Sequence, residues 1–301
     1  MSTFTFIVCT YNRVPFIQET IESILLHCAP KTNYELLVID NNSTDGTAEV
    51  VKPFLQNPVV RYVLETEQGL SHARNRGIQE AKNEILIFVD DDIDLDAHYL
   101  EVCERLFANP DMNIVGGKVL PFNATVPEWL PKKYFYLASM FDLGDEAQAT
   151  DKLMGANYAL RKTVAERIGW YNPELGRKGN NLMAGEENDY LNRAKALGYS
   201  IFYEPRLIVY HKIANKLNQE YIYNYSRLNG RSEGLIDVQS APARFVAKAI
   251  KSLLMLAAFP LYGAHAHDPK KQTYFKISQL AALGYLSVAQ DKYFGKGQAA
   301  A

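Results

Sequence analysis

The chain has 301 residues, 48% hydrophobic and 22% charged, with a formal net charge of -2. These are the proportions of an ordinary folded protein, and no overall positive charge suggests nucleic acid as a partner. The length allows a large core, as one big domain or a main domain with an appendage. Charge is uneven: residues 205–276 hold 11 Lys/Arg against 4 Asp/Glu, a local balance of +7 that leaves -9 for the rest. A basic surface is therefore expected in the C-terminal third. Cys9, Cys28 and Cys103 are odd in number and lack ligand spacing, which points to buried free thiols in a reducing, cytoplasmic compartment. The start of the chain shows no basic region followed by a long apolar run, so no signal peptide is expected. The strongest later apolar run, Leu253 to Leu261, is about half of what a bilayer span needs.

In chain order, Phe4 to Thr10 reads as a strand ending at Tyr11-Asn12-Arg13. Pro15 suits the first turn of a helix that runs to about Cys28. Tyr34 to Ile39 is a second buried strand ending at Asp40, followed by the turn Asn41-Asn42-Ser43-Thr44-Asp45-Gly46 and a helix capped by Thr47. Val59 to Leu64 is a third strand, and a helix is expected from about Ser71 to Lys82. Ile85-Leu86-Ile87-Phe88-Val89 is a strand covered on both faces. This alternation predicts a mostly parallel, doubly wound α/β sheet with right-handed crossovers. No GxGxxG follows the first strand, which disfavours a dinucleotide-binding enzyme.

The fourth strand runs into Asp90-Asp91-Asp92, with Asp94 and Asp96 close behind. Adjacent carboxylates at the carboxyl end of a central strand repel one another unless a cation or polar ligand joins them. Two readings stand side by side: a hard-cation site for Mn²⁺ or Mg²⁺, and a solvated loop capping a helix that begins near Asp96. Further on come a helix to Phe107, a strand near 113–118, an irregular stretch over 121–133, and a strand over 155–160 with a helix over 162–168. A glycine-bearing loop, 171–185, is expected to be mobile. Glu186-Glu187-Asn188-Asp189 opens a helix, where acids are welcome. Short strands at 199–203 and 207–210 lead to His211. Helices are expected over about 215–228, 243–260 and 274–292, with a frayed tail at 295–301. The second of these carries Arg244, Lys248 and Lys251 on one face, a pattern that suits an anionic membrane surface. Packing on the main domain, or on a partner subunit in a homodimer, is the alternative use of that helix.

Taken together, Thr10-Tyr11-Asn12-Arg13, Asp40 to Thr47, Gly69 to Gly77 and Phe88 to Asp92 resemble the ordered motifs of the family-two inverting glycosyltransferases with the GT-A fold. Gly155-Ala156-Asn157 and Gly185 to Asp189 match that family's later motifs, so the resemblance covers roughly residues 3–235. It implies a Rossmann-like, mostly parallel sheet flanked by helices, with a C-terminal helical extension. The GT-A domain would span 1–235, divided into a nucleotide-binding half, 1–118, and an acceptor-binding half, 119–235. The basic amphipathic extension would be 236–301.

The same resemblance implies roles. Thr10, Tyr11, Arg13, Asn42 and Asn157 would border the nucleotide, and Asp40 would accept from the base N–H. Arg74 would lie near the acidic cluster and diphosphate, or else hold the sheet edge in a salt bridge. Asp92 would be the direct metal ligand, Asp90 would stand nearer the ribose or a metal-bound water, and Asp91 would support them. Glu187 stands where the family carries its base Asp, with Asp189 and Glu186 as alternatives. His211 would reach the metal or remain a core histidine, and His72 would be structural or acceptor-facing. Trp129, Trp170, Tyr134 and Tyr136 could stack on sugar rings or pack in the core. The implied donor is a nucleoside-diphosphate sugar, with UDP expected. The implied acceptor is a glycan or lipid-linked sugar in cell-envelope polysaccharide synthesis, made at the inner face of the membrane. A degenerate sugar-nucleotide-binding or scaffold subunit and a nucleotidyltransferase are the competing readings.

Overall fold

A computed structural model describes residues 2–178, 185–263 and 268–290. Part of the loop expected to be mobile, 179–184, and the tail 295–301 lie outside the described residues. The chain forms two compact units. One comprises Met1–Ala124, Ser139–Asn181 and Glu186–Ala214; the other comprises Thr125–Ala138, Leu182–Gly185 and Asn215–Ala301.

The first unit is built on strands β1 (Phe4–Thr10), β2 (Tyr34–Asp40), β3 (Val60–Leu64), β4 (Ile85–Val89), β5 (Ile93–Leu95), β6 (Ile114–Pro121), β7 (Gln148–Ala149), β8 (Asn157–Arg161) and β9 (Ile201–His211). Its helices are α1 (Val14–Cys28), α2 (Thr47–Val51), α3 (Leu70–Glu80), α4 (Tyr99–Phe107), α5 (Lys162–Ile168) and α6 (Glu186–Ala196). The strands form one sheet in the order β3-β2-β1-β4-β8-β6-β9-β5, with β7 paired to β9.

The expectation of a mostly parallel sheet needs correction. β3, β2, β1 and β4 are parallel, but β8 runs antiparallel to both β4 and β6, and β5 and β7 run antiparallel to β9. The sheet is mixed because the chain leaves the βαβ alternation after β4: β5 follows after three residues with no crossover helix. The two short strands expected around 199–210 are one strand, β9, of which His211 is the last residue. The helix expected from Asp96 starts at Tyr99, because Ile93–Leu95 pairs as β5 first.

Alternation along the inner strands divides the core between the two faces of the sheet. Phe4, Phe6 and Val8 of β1 and Ile85, Ile87 and Val89 of β4 pack with Ile17, Ile21 and Ile24 of α1. Ile7, Leu86 and Phe88 face the other way, onto Ala73 and Ile78 of α3 and onto Val164 and Leu191. Each of these buried side chains, Ala73 excepted, contributes about 1.5–3 kcal/mol. Burial on both faces explains why β4 reads as an unbroken apolar run, and it leaves only the strand ends for polar chemistry.

The second unit contains α7 (Gln219–Ser240), α8 (Pro242–Gly263) and α9 (Pro269–Ala289). It begins after Ala214 and takes in Thr125–Ala138, so its limits differ from the division expected at residue 235. The close packing of α7 on α9 explains this. A Cβ at Gly230 would stand 2.0 Å from the Ala281 carbonyl oxygen, and one at Gly284 would stand 1.9 Å from that of Arg227, so only glycine permits the contact. The Tyr134 hydroxyl meets Ser278 Oγ at 2.9 Å and its ring packs 5.6 Å from that of Tyr274, joining the 125–138 segment to the helices.

Candidate active site

Parallel pairing sets Thr10 level with Asp40, and Val8 level with Val89, so the ends of β1, β2 and β4 lie together at the carboxyl edge. Asp90, Asp91 and Asp92 follow β4 at this edge. The turn after them is held by the Thr20 hydroxyl of α1, which donates to the Asp91 carbonyl at 2.9 Å and accepts from the Ile93 N–H at 3.2 Å. β5 then pairs with β9 so that Ile93 lies opposite His211, and the Lys212 N–H donates to the Asp92 carbonyl at 2.9 Å. A residue 119 positions away is thereby fixed beside the carboxylates.

His211 Nε2 lies 2.6 Å from Asp92 Oδ1 and 3.8 Å from Asp90 Oδ2. One ligand atom from each of Asp90, Asp92 and His211 falls within a mutual 4.8 Å. Two carboxylates and an imidazole are a donor set for Mn²⁺ or Mg²⁺, whose octahedral ligands stand about 3 Å apart in cis and about 4.2 Å in trans. The backbone also fits this use. His211 Nδ1 is 3.1 Å from the carbonyl of Ser139, an acceptor for an Nδ1 proton that would leave Nε2 to ligate a cation held with the carboxylates. Ser139 holds a left-handed φ of 58° there, a conformation that serine seldom adopts. Asp90, expected nearer the ribose, joins Asp92 and His211 as a third donor.

Arg13 partly compensates this charge. Its guanidinium pairs with Asp92, reaches Asp91 Oδ1 at 3.2 Å, and lies over the Phe16 ring. Asp91 is buried, and burial first, then the neighbouring Asp92 charge, push its carboxyl up to about 6 against the pull of Arg13. Thr10 is buried next to Asp91, and Tyr11 is half-buried at the start of the loop.

The loops that follow β1 and β2 hold each other. The Asn12 N–H donates to Ser43 Oγ at 3.0 Å, and the Thr44 N–H donates to Asn12 Oδ1 at 2.8 Å. Asp40 is buried, and its carboxylate accepts from the Ser43 N–H at 2.9 Å and the Tyr62 hydroxyl at 2.8 Å. Asn42 is exposed with φ 64°. Its neighbour Asn41 is the structural member, buried and bonded to four backbone or side-chain partners of residues 65–69. Asn157, expected to border the nucleotide, has its side chain turned to internal partners. It is fully buried, donates to the carbonyls of Lys118 and Leu207, and accepts from the Tyr99 hydroxyl at 2.7 Å. Its amide is spent on joining β6, β8, β9 and α4.

A second acid group lies across α3. Arg74 is buried and pairs with Glu186 at 2.7 Å and Glu187 at 3.7 Å; its guanidinium lies 5.5 Å from the Tyr171 ring centroid. It therefore contacts this pair rather than Asp90–Asp92. Cys9, at the end of β1, experiences the charge of both Arg74 and Asp90, so the two clusters flank one strand end. A Cβ at Gly155 would stand 2.6 Å from Arg74 Nη2 and 3.4 Å from Glu187 Cδ, so glycine is what lets the ion group close. Burial opposes ionisation of Glu186, but Arg74 and a hydrogen bond from Glu187 hold it below the usual carboxylate range. Burial first, then the Glu186 charge, push Glu187 up to about 8. Glu187 alone of the three candidate acids lines a tightly packed chamber, too narrow to hold a water molecule, beside Met154, Tyr158, Tyr171 and Tyr190. Asp189 instead pairs with Arg193 at 3.0 Å on the helix flank.

The family model described as glycosyl transferase family 2 matches residues 5–169. Glycosyltransferase AglE of Haloferax volcanii is 27% identical over 210 residues, 68% of this chain and 65% of that protein. The glucosyl-dolichyl phosphate glucuronosyltransferase of the same organism is 25% identical over 215 residues, 69% of this chain and 68% of that protein. The chain thus spans about two thirds of the length of these relatives. Among solved structures, mannosyltransferase PcManGT from Pyrobaculum calidifontis, in complex with GDP-Man and Mn²⁺, superposes with a TM-score of 0.64 at 18% identity, covering 98% of this chain and 88% of that one. S. aureus TarS 1-349 does so with a TM-score of 0.55 at 16% identity, covering 97% and 93%.

Proposed function

The chain belongs to glycosyl transferase family 2, and from that premise we propose that it moves a sugar, with inversion, from a nucleoside-diphosphate sugar to a hydroxyl of a glycan or lipid-linked acceptor. The observation that carries the reading is the convergence of Asp90, Asp92 and His211 at the carboxyl edge of the sheet. These three would hold a divalent cation, which would offset the charge gathering on the departing diphosphate. Asp40 would accept from the nucleobase, and Thr10, Tyr11 and Arg13 would border the nucleotide.

Glu187 would take the proton of the attacking hydroxyl. Its surroundings suit that role, since Glu186 and Arg74 form an ion pair that leaves the shared proton on Glu187, and its carboxylate, once formed, is a strong base. Asp189, engaged with Arg193, is the weaker candidate. Glu186 acts through Arg74 as a positioning group.

We assign the second unit to a membrane surface. On α8, Val246, Ile250, Leu253 and Leu254 are each more than half exposed, with Arg244 and Lys251 also exposed, so an apolar stripe flanked by cations faces outward. A helix of this kind lies in the plane of an anionic bilayer. Among the described residues no helix is long and apolar enough to cross a membrane. Such a surface suits a lipid-linked acceptor on the cytoplasmic side.

The test is a donor screen by calorimetry and mass spectrometry across UDP-, GDP- and dTDP-sugars with Mn²⁺, UDP-sugars being expected to bind. Tight nucleotide binding without turnover of any donor would instead favour a binding subunit.

A further inference from the structure

We propose that the groove between α3 and Trp170 is a glycan subsite, which holds an uncharged stretch of the acceptor chain outside the chamber of Glu187. The inference rests on the reading of the protein as a glycosyltransferase with a saccharide acceptor, and it adds a place where more of that acceptor is held.

The indole of Trp170 is 58% exposed, a large apolar ring left facing water. Its backbone is nevertheless held firmly. The Trp170 carbonyl accepts from Arg193 Nη2 at 2.9 Å, and the side chain of Asn75 clamps the next residue, accepting from the Tyr171 N–H at 2.7 Å and donating to its carbonyl at 3.0 Å. The facing wall, residues 65–69, is tied down by Asn41 from the end of β2, which accepts from the Gly69 N–H at 2.7 Å and donates to the Glu67 carbonyl at 2.6 Å. Between these walls is an open groove of about 500 Å³, lined by His72, Arg76 and Gln79 of α3 and by Glu65 and Glu67. A groove with both walls fixed binds without first having to be ordered.

The lining selects the ligand. An exposed aromatic face beside planar amide, carboxylate and guanidinium groups suits a pyranose, whose C–H face lies on the ring while its hydroxyls donate and accept at the edge. His72 pairs with Glu67 at 3.2 Å and Arg76 with Glu80 at 2.9 Å, so the cations along the groove already have partners, which disfavours a polyanion or a diphosphate.

Position links the groove to the reaction. Trp170 and Tyr171 are consecutive, and while Trp170 lines the groove, Tyr171 lines the chamber of Glu187 and packs against Arg74. The segment that carries the platform therefore also forms a wall of the chamber.

The test uses the full chain with 5-fluorotryptophan at Trp129 and Trp170, followed by ¹⁹F NMR, with Trp170→Phe assigning the two signals. Cellopentaose, chitopentaose and mannopentaose are titrated, with a sulfated pentasaccharide as the anionic comparison. At least one neutral pentaose should shift the Trp170 signal saturably and leave Trp129 in place. Gln79→Ala, an exposed and structurally mild change, should weaken that titration about tenfold. A Trp170 signal unmoved by all three neutral sugars, a stronger response to the sulfated sugar, or an unchanged titration in Gln79→Ala would each overturn the proposal. Sugar-nucleotide hydrolysis on the same sample separates the two readings. Hydrolysis with an unresponsive Trp170 removes the groove alone; a glycan titration without hydrolysis of any donor removes the transferase reading and leaves the groove.

Discussion

Glu187→Gln should lower turnover and raise stability together, above neutral pH. In the folded chain burial and the Glu186 charge hold the Glu187 carboxyl up to about 8, against an ordinary value of 4.5. That displacement corresponds to roughly 5 kcal/mol of preference for the neutral form, at about 1.36 kcal/mol per pH unit. The sign for stability follows from proton counting. Between about 4.5 and 8 the folded chain keeps a proton that the unfolded chain has lost, so stability falls as pH rises through this window, by up to about 1.4 kcal/mol per unit. Glu186, held lower than usual, acts in the opposite sense and only below the ordinary carboxylate range. Activity runs the other way, because a general base must be ionised: kcat/KM at saturating Mn²⁺ should climb tenfold per unit up to about pH 8 and then level. Glutamine keeps the neutral shape and cannot ionise. Glu187→Gln should therefore cut turnover by roughly 10²-fold or more with donor binding retained, and it should melt higher than the parent at about pH 9 and equally at about pH 4, where both folded and unfolded parent keep the proton. The assays are a pH–rate profile and calorimetric melts at those two pH values. A flat profile from pH 6 to 8.5, or near-normal turnover in the glutamine variant, would refute the reasoning.

Removing Arg13 should strengthen cation binding in the absence of nucleotide, because its guanidinium already occupies Asp91 and Asp92. Calorimetric titration of Arg13→Ala with Mn²⁺ should show at least about a tenfold gain, the scale of one partly screened charge a few ångströms away. Gly155→Ala should displace Arg74 from the Glu186–Glu187 pair and cost about 1–3 kcal/mol by thermal melt, with lower turnover in the folded fraction. Ile250→Glu with Leu254→Glu should abolish co-sedimentation with anionic vesicles while leaving the melt of the chain unchanged; continued sedimentation would remove α8 as the contact.

Much of this site was legible in the sequence because its residues fall at the ends of strands whose burial pattern is local. An apolar run closed by Asp90-Asp91-Asp92 locates a carboxyl edge, and alternation with helices places Asp40 at the same edge of the parallel strands. What could not be read depends on pairing between distant segments. Nothing near Ile93 announces that it will lie antiparallel to His211, yet that register brings the histidine to Asp92 and gives the sheet its mixed direction. Ser139 could not be found at all, since its contribution is a carbonyl aimed by a left-handed backbone. Asn41 and Asn42 are equivalent as letters; burial alone makes the first a structural tie and leaves the second in solvent. Resemblance leaves Arg74 either near the diphosphate or in a salt bridge, and the sequence does not say that its bonded partners are Glu186 and Glu187, a pairing that the close approach at Gly155 permits. Asn157 shows the same limit, its motif position giving no sign that all its hydrogen bonds would be internal.

The central claim is that Asp90, Asp92 and His211 hold the cation on which sugar transfer depends. Release of nucleoside diphosphate from the best-binding sugar nucleotide, followed with and without Mn²⁺ in the parent chain and in Asp92→Ala, tests it most directly. Release that requires Mn²⁺ in the parent and disappears in Asp92→Ala is the predicted result. Equal release without added metal, or an Asp92→Ala variant that responds to Mn²⁺ as the parent does, would contradict it.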